Sequence, residues 1–131
     1  MRRLFALVLT LLAAPPAALA QGGLEAEPAI REGLIAVGIA VEISDRCDRI
    51  EARRLKGIAY LDALRGEARR LGYSESEIGA FLDDDAAADR LKAEARARLA
   101  SMGAVRGDAA SHCRVGAAEI AAGTVIGQFL R

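Results

Sequence analysis

Residues 46–71 read RCDRIEARRLKGIAYLDALRGEARRL. On a helical wheel, Cys47, Ile50, Gly57, Ile58, Leu61, Leu64, Ala68 and Leu71 fall in one stripe, with Asp48, Arg49, Lys56, Glu67 and Arg70 opposite. That 3.6-residue period predicts a core-facing helix and not the alternation of a strand. Arg54 and Arg65 interrupt the stripe, but arginine stems can cover apolar surface while their heads reach water. Gly72 follows the last apolar position, where helices end in a left-handed residue. Arg69 and Arg70 suit the negative end of the helix dipole. The stretch therefore predicts one long amphipathic helix with Cys47 in its first turn, around which the rest of the chain is arranged.

Upstream, residues 1–20 have the form of a secretory leader. Arg2 and Arg3 precede the apolar run Leu4–Ala14, Pro15 and Pro16 break it, and Ala18-Leu19-Ala20 forms a small-residue cleavage site. Cleavage is expected between Ala20 and Gln21, giving a periplasmic or secreted protein. The apolar run is too short for a transmembrane helix. Removing the leader from the 131-residue chain leaves 16 basic residues against 18 acidic, a near-neutral product. Residues 21–27 are expected to be a flexible lead, followed by one helical domain over 28–131. A domain of this length has a modest core. Aromatic residues are few, so that core must be built from Ala, Leu, Ile and Val, which leaves a narrow stability margin.

The two cysteines, Cys47 and Cys113, both follow the leader. An even count in an exported chain predicts one disulfide. There is no C-x-x-C pair and no histidine cluster to favour redox or metal chemistry instead. A link across this separation would stabilise the fold by roughly 4 kcal/mol in the chain-entropy model.

Pro28 suits a first helical turn. Residues 30–43 are ambiguous: Ile30, Leu34, Val37 and Val41 make a helical stripe, whereas Ile35, Val37, Ile39, Val41 and Ile43 also alternate as in a strand. No second strand-like run exists to pair with, so a helix is predicted, buried in the monomer or against a second chain. Gly33 and Gly38 would let a neighbouring helix approach closely. Ser44 and Asp45 are expected to separate it from the next helix. Ser74 and Glu77 form a capping box ahead of a short helix at 75–82, with Ile78, Phe81 and Leu82 inward. Asp83-Asp84-Asp85 lacks the turn glycine and distal glutamate of an EF-hand loop, and reads as an N-cap at Asp83 with acids in the first turn of a helix ending near Met102. Asp108 caps the last helix, which carries Cys113 and a face of small residues. The architecture predicted is an all-α bundle of about five helices with one disulfide.

The segments GLIAVGIAVEI, RRLKGIAYLDALRGEARRLGYSESEIGAFLDD and HCRVGAAEIAAGTVIGQFL, taken together, resemble a small domain-of-unknown-function family of exported alphaproteobacterial proteins. The resemblance spans roughly 28–130. It implies an exported, helical, disulfide-bonded domain and supplies no activity, cofactor or catalytic residue.

Motifs for chemistry are sparse. The only histidine, His112, is adjacent to Cys113, and neighbours on a helix point about 100° apart. It is expected at the surface and not in a catalytic pair. No G-x-S-x-G or phosphate-loop motif occurs. No enzyme activity, cofactor, metal or nucleic-acid partner is expected. The arginines of 46–71 would suit an anionic membrane or wall polymer, but neighbouring acids offset them. The leading expectation is a non-enzymatic interaction or assembly module, pairing with an unidentified protein or with itself. Its contact face would be Ile35, Ile39 and Ile43 with Phe129 and Leu130. The alternatives are a holdase-like stress chaperone, by analogy of fold alone, and a binder of a small apolar ligand or lipid.

Overall fold

A computed structural model describes residues 22–131; the predicted leader lies outside the described residues. Seven helices follow one another among them: α1 (Gly23–Ala26), α2 (Pro28–Arg46), α3 (Arg54–Arg70), α4 (Glu75–Leu82), α5 (Asp85–Ser101), α6 (Ala109–Ala122) and α7 (Val125–Gln128). Five of them exceed a single turn, and no strand is present among the described residues. The all-α bundle predicted from the sequence is what forms.

The organising element is α2, not the helix predicted over 46–71. Pro28 occupies its first turn, where a missing N–H costs nothing. The ambiguity of 30–43 resolves to helix, and Ile35, Ile39 and Ile43 are each at most 2% exposed. Burial of side chains of this size stabilises by roughly 1.5–3 kcal/mol each. They join Cys47, Ile50, Ala95, Leu99, Cys113, Val115, Phe129 and Leu130 in the main core. A smaller cluster unites Leu24, Ile30, Ala68 and Ile78 at the other end of α2. Small residues set the spacing between helices. A Cβ on Gly33 would stand 2.8 Å from Leu64 Cδ1, and one on Gly38 would stand 3.2 Å from the Cβ of Ala95 in α5.

Several expectations need correction. The first is the long helix of 46–71. Instead α2 continues through Ser44 and Asp45 to Arg46, Cys47 closes it in extended conformation, and α3 begins only at Arg54. The intervening backbone is committed elsewhere. Glu51 exchanges both backbone hydrogen bonds with Arg131 (2.9 and 3.0 Å), Arg53 N–H donates to the Phe129 carbonyl (2.6 Å), and Ala52 N–H donates to Ser44 Oγ (3.0 Å). Phe129 and Arg131 lie at the far end of the sequence, so no local pattern announces them. Consequently α3 buries only Ala68, while Leu55, Ile58 and Leu61 of the predicted helix are exposed.

The second correction concerns the expected interaction face. Ile35, Ile39, Ile43, Phe129 and Leu130 are all buried within the one chain, and Phe129 packs on Tyr60 with ring centroids 4.9 Å apart. The apolar first helix and tail cover each other within the chain. Third, the lead expected to be flexible contains α1. Leu24 is buried, and Arg90 of α5 donates to both carboxylate oxygens of Glu25 (2.8 and 2.7 Å). Fourth, Asp83 does not cap α5. It closes α4, and Asp84 is the cap, accepting from Ala87 N–H at 3.0 Å. Leu82, expected inward, is exposed.

Candidate functional site

Cys47 and Cys113 are joined, with S–S 2.03 Å and Cα atoms 5.2 Å apart. The link fastens the end of α2 to the first half of α6. Both sulfurs are buried, with the Asp48 carboxylate close by. Sulfurs engaged with each other present no thiolate, so this trio is a structural clasp and not a ligand set. The remaining predicted caps act locally. Ser74 Oγ accepts from Glu77 N–H (3.1 Å) while Glu77 accepts from Ser74 N–H (2.7 Å). Asp108 accepts from Ser111 N–H at 3.2 Å. None of these groups converges with the others on a reaction centre.

His112 departs from its expected surface position: the residue is buried. Its Nδ1 lies 2.9 Å from the Asp108 carbonyl oxygen, which can only accept, so Nδ1 carries the proton. The ring belongs to α6, whose inward face also holds Ser111, Cys113, Val115 and Gly116. A wheel drawn through Cys113 alone cannot find it, because α6 is enclosed over more than one stripe.

The surface that stands out is on α3. Leu55, Ile58 and Leu61 are 84%, 59% and 39% exposed. Spaced three apart, they form one inclined ridge along the helix. The ridge runs into a groove of about 190 Å³ between α3 and α4, floored by Leu24, Ile30 and Ile78 and walled by Leu61, Phe81 and Leu82. Leu82 is 63% exposed at its edge. Single exposed apolar residues are ordinary, but several contiguous with an apolar groove mark a contact surface.

Ion pairs frame this region. Arg65 donates to Glu75 at 2.6 Å, and Arg69 engages the other oxygen of the same carboxylate. Those two hydrogen bonds, Arg69's the stronger, hold the Glu75 carboxyl below its ordinary range. Arg90 does the same for Glu25, and Arg98 for Glu32. The backbone N–H of Ser74 lowers Glu77. Tyr73 donates its hydroxyl to Glu27 (2.7 Å), which raises the phenol. These groups lie at the surface, so their pairing orients α1, α4 and α5 more than it stabilises the fold. No helix among the described residues is long and apolar enough to cross a membrane.

The fold defines a small helical domain clasped by one disulfide and built around a buried central helix. Residues 22–131 match the model of a family of unknown function, DUF5333, and the chain belongs to that family. No curated protein and no solved structure matches it.

Proposed function

We propose that the protein is an exported, non-enzymatic interaction module that docks a partner protein on the outer face of α3. The observation that carries this reading is the ridge of Leu55, Ile58 and Leu61 leading into the groove edged by Leu82. Over 17 positions this helix fully buries only Ala68, with Tyr60 and Leu64 packed on the core clusters, yet it keeps three large aliphatic side chains in water. An apolar helix face of a partner, laid along the ridge with one side chain in the groove, would cover them. Export is supported by the leader pattern of residues 1–20 and by the Cys47–Cys113 link, which favours an oxidising compartment.

The test is a photo-crosslinking residue placed at Ile58 in cells, with a control at the exposed polar Ser76. Expected is one dominant adduct at Ile58, absent at Ser76 and lost on Leu82→Asp. Adduct between two copies of the chain would identify self-association, and a broad smear of adducts would indicate a holdase. Equal yields at both positions would refute docking on α3.

A second reading is favoured by the groove's aliphatic floor, on which a small apolar ligand would rest. Native mass spectrometry of freshly purified protein would show its added mass, and an unadorned mass would count against it.

A further inference from the structure

A second concavity, on a different side of α2 from the α3 groove, collects charge. It lies between α2, α5 and the loop leading to α6 and encloses about 420 Å³. Its floor includes Leu99 and Ala104, both buried, and its walls carry Arg46, Arg96, Arg106, Glu42 and His112.

Three arginines therefore share this lining with one glutamate. Arg96 donates to Glu42 at 2.9 Å, and Arg46 approaches the same carboxylate at 3.7 Å. Arg106 has no ion-pair partner among the described residues. All three arginines are exposed, and their excess positive charge converges on the rim of one concavity, which favours a bound anion. His112 adds a polar atom. Its Nδ1 proton is committed to Asp108, and no buried side-chain nitrogen or oxygen among the described residues lacks a hydrogen-bond partner. Nε2, which has no protein partner, must therefore be open to solvent, and the ring lines this cavity.

We propose that the cavity binds a small organic anion bearing one carboxylate or phosphate group. Arg106 and Arg46 hold the oxyanion, and the carbon portion rests on Leu99 and Ala104. Guanidinium groups match the planar geometry of such oxyanions and make charge-assisted hydrogen bonds to them. The volume falls within the range of small-molecule sites and exceeds what a bare inorganic ion fills.

His112 is the only histidine in the chain, so its ring Cε1–H gives a single reporter in proton NMR. The tag-free, oxidised protein would be titrated with benzoate, phenyl phosphate and inorganic phosphate at fixed pH and ionic strength, up to millimolar concentration. A saturable shift of the His112 signal with benzoate or phenyl phosphate is expected. Affinity should fall at least about tenfold in Arg106→Ala, as for loss of one charge-assisted hydrogen bond, and recover in part in Arg106→Lys. Arg106 is exposed, so neither variant disturbs the core. Benzoate saturating alone would assign a carboxylate ligand, and phenyl phosphate saturating alone a phosphate ester. No saturable shift, saturation by inorganic phosphate alone, or an unchanged affinity in Arg106→Ala would overturn the proposal.

Discussion

The Cα of Gly127 lies directly against the Glu119 carbonyl: a Cβ there would stand 2.0 Å from that oxygen. Backbone, unlike a side-chain tip, has nowhere to rotate. Gly127→Ala should force α7 off α6 and withdraw Phe129 and Leu130 from the core. A loss of about 3 kcal/mol is expected, at the upper end of over-packing costs. Urea unfolding would measure it, with loss of the near-ultraviolet signal of Tyr60, whose ring packs on Phe129. Wild-type stability in the variant would show that α7 does not anchor the tail.

Reduction of the Cys47–Cys113 link should cost about 4 kcal/mol, since it closes a loop with a sequence separation of 66. Small domains have net stabilities of about 5–15 kcal/mol, so the reduced protein should be marginal when warmed. Thermal unfolding with and without reductant, or of the Cys47→Ala/Cys113→Ala double variant, checks this. Coincident curves would mean that packing alone maintains the fold.

The capping assignments separate neighbouring aspartates. Asp84→Ala should destabilise by about 1 kcal/mol, as should Ser74→Ala, because each removes an acceptor for a first-turn N–H. Asp83→Ala, whose side chain caps nothing, should be nearly neutral. Equal losses at 83 and 84 in chemical denaturation would contradict this register.

Ser in place of Leu55 or Ile58 should change stability by less than about 0.5 kcal/mol, as at ordinary exposed positions. Ile39→Ala should cost about 2–5 kcal/mol. Hydrogen exchange should accordingly find α3 opening at lower free energy than α2. A large loss at Ile58 in the isolated protein would mean that α3 is packed more deeply than described.

Glu75, Glu25, Glu32 and Glu77 all have folded-state carboxyls below their ordinary range. Their contribution is present above the unfolded carboxylate value of about 4.3 and is lost as pH falls through the lower folded values. The melting temperature should therefore hold above about pH 5 and decline below about pH 4. Added salt should shrink the decline, because the pairs are exposed. Glu75→Gln should flatten it; an identical slope in the variant would show that this pair carries none of the acid sensitivity.

Local signals were readable where they were self-contained. The Ser74–Glu77 box needs only four residues, and α4 occupies the range it predicts. The helical choice over 30–43 followed from the lack of a second strand-like run, and the cysteine pairing followed from their number and the leader. What escaped was set by distant partners. The segment after Cys47 has helical periodicity, but its N–H and C=O groups face the tail at 129–131. Ile58 and Leu61 shared a wheel stripe with Leu64 and Ala68, and the wheel could not say that only the edge nearest α2 would find cover. Among residues of the candidate sites, the cavity wall drew Arg46, Arg96, Arg106 and His112 from three helices and a loop, a convergence that spacing cannot encode. The same nonlocality hides the burial of Phe129 and Leu130, which share the core with Ile50.

The sulfur clasp also makes a covalent ring of everything between α2 and α6. A protease that severs the exposed turn at Gly72, or any other peptide bond inside that ring, opens it without releasing a fragment. The nicked molecule would keep its full mass on a non-reducing gel and fall into two pieces only when a thiol is added.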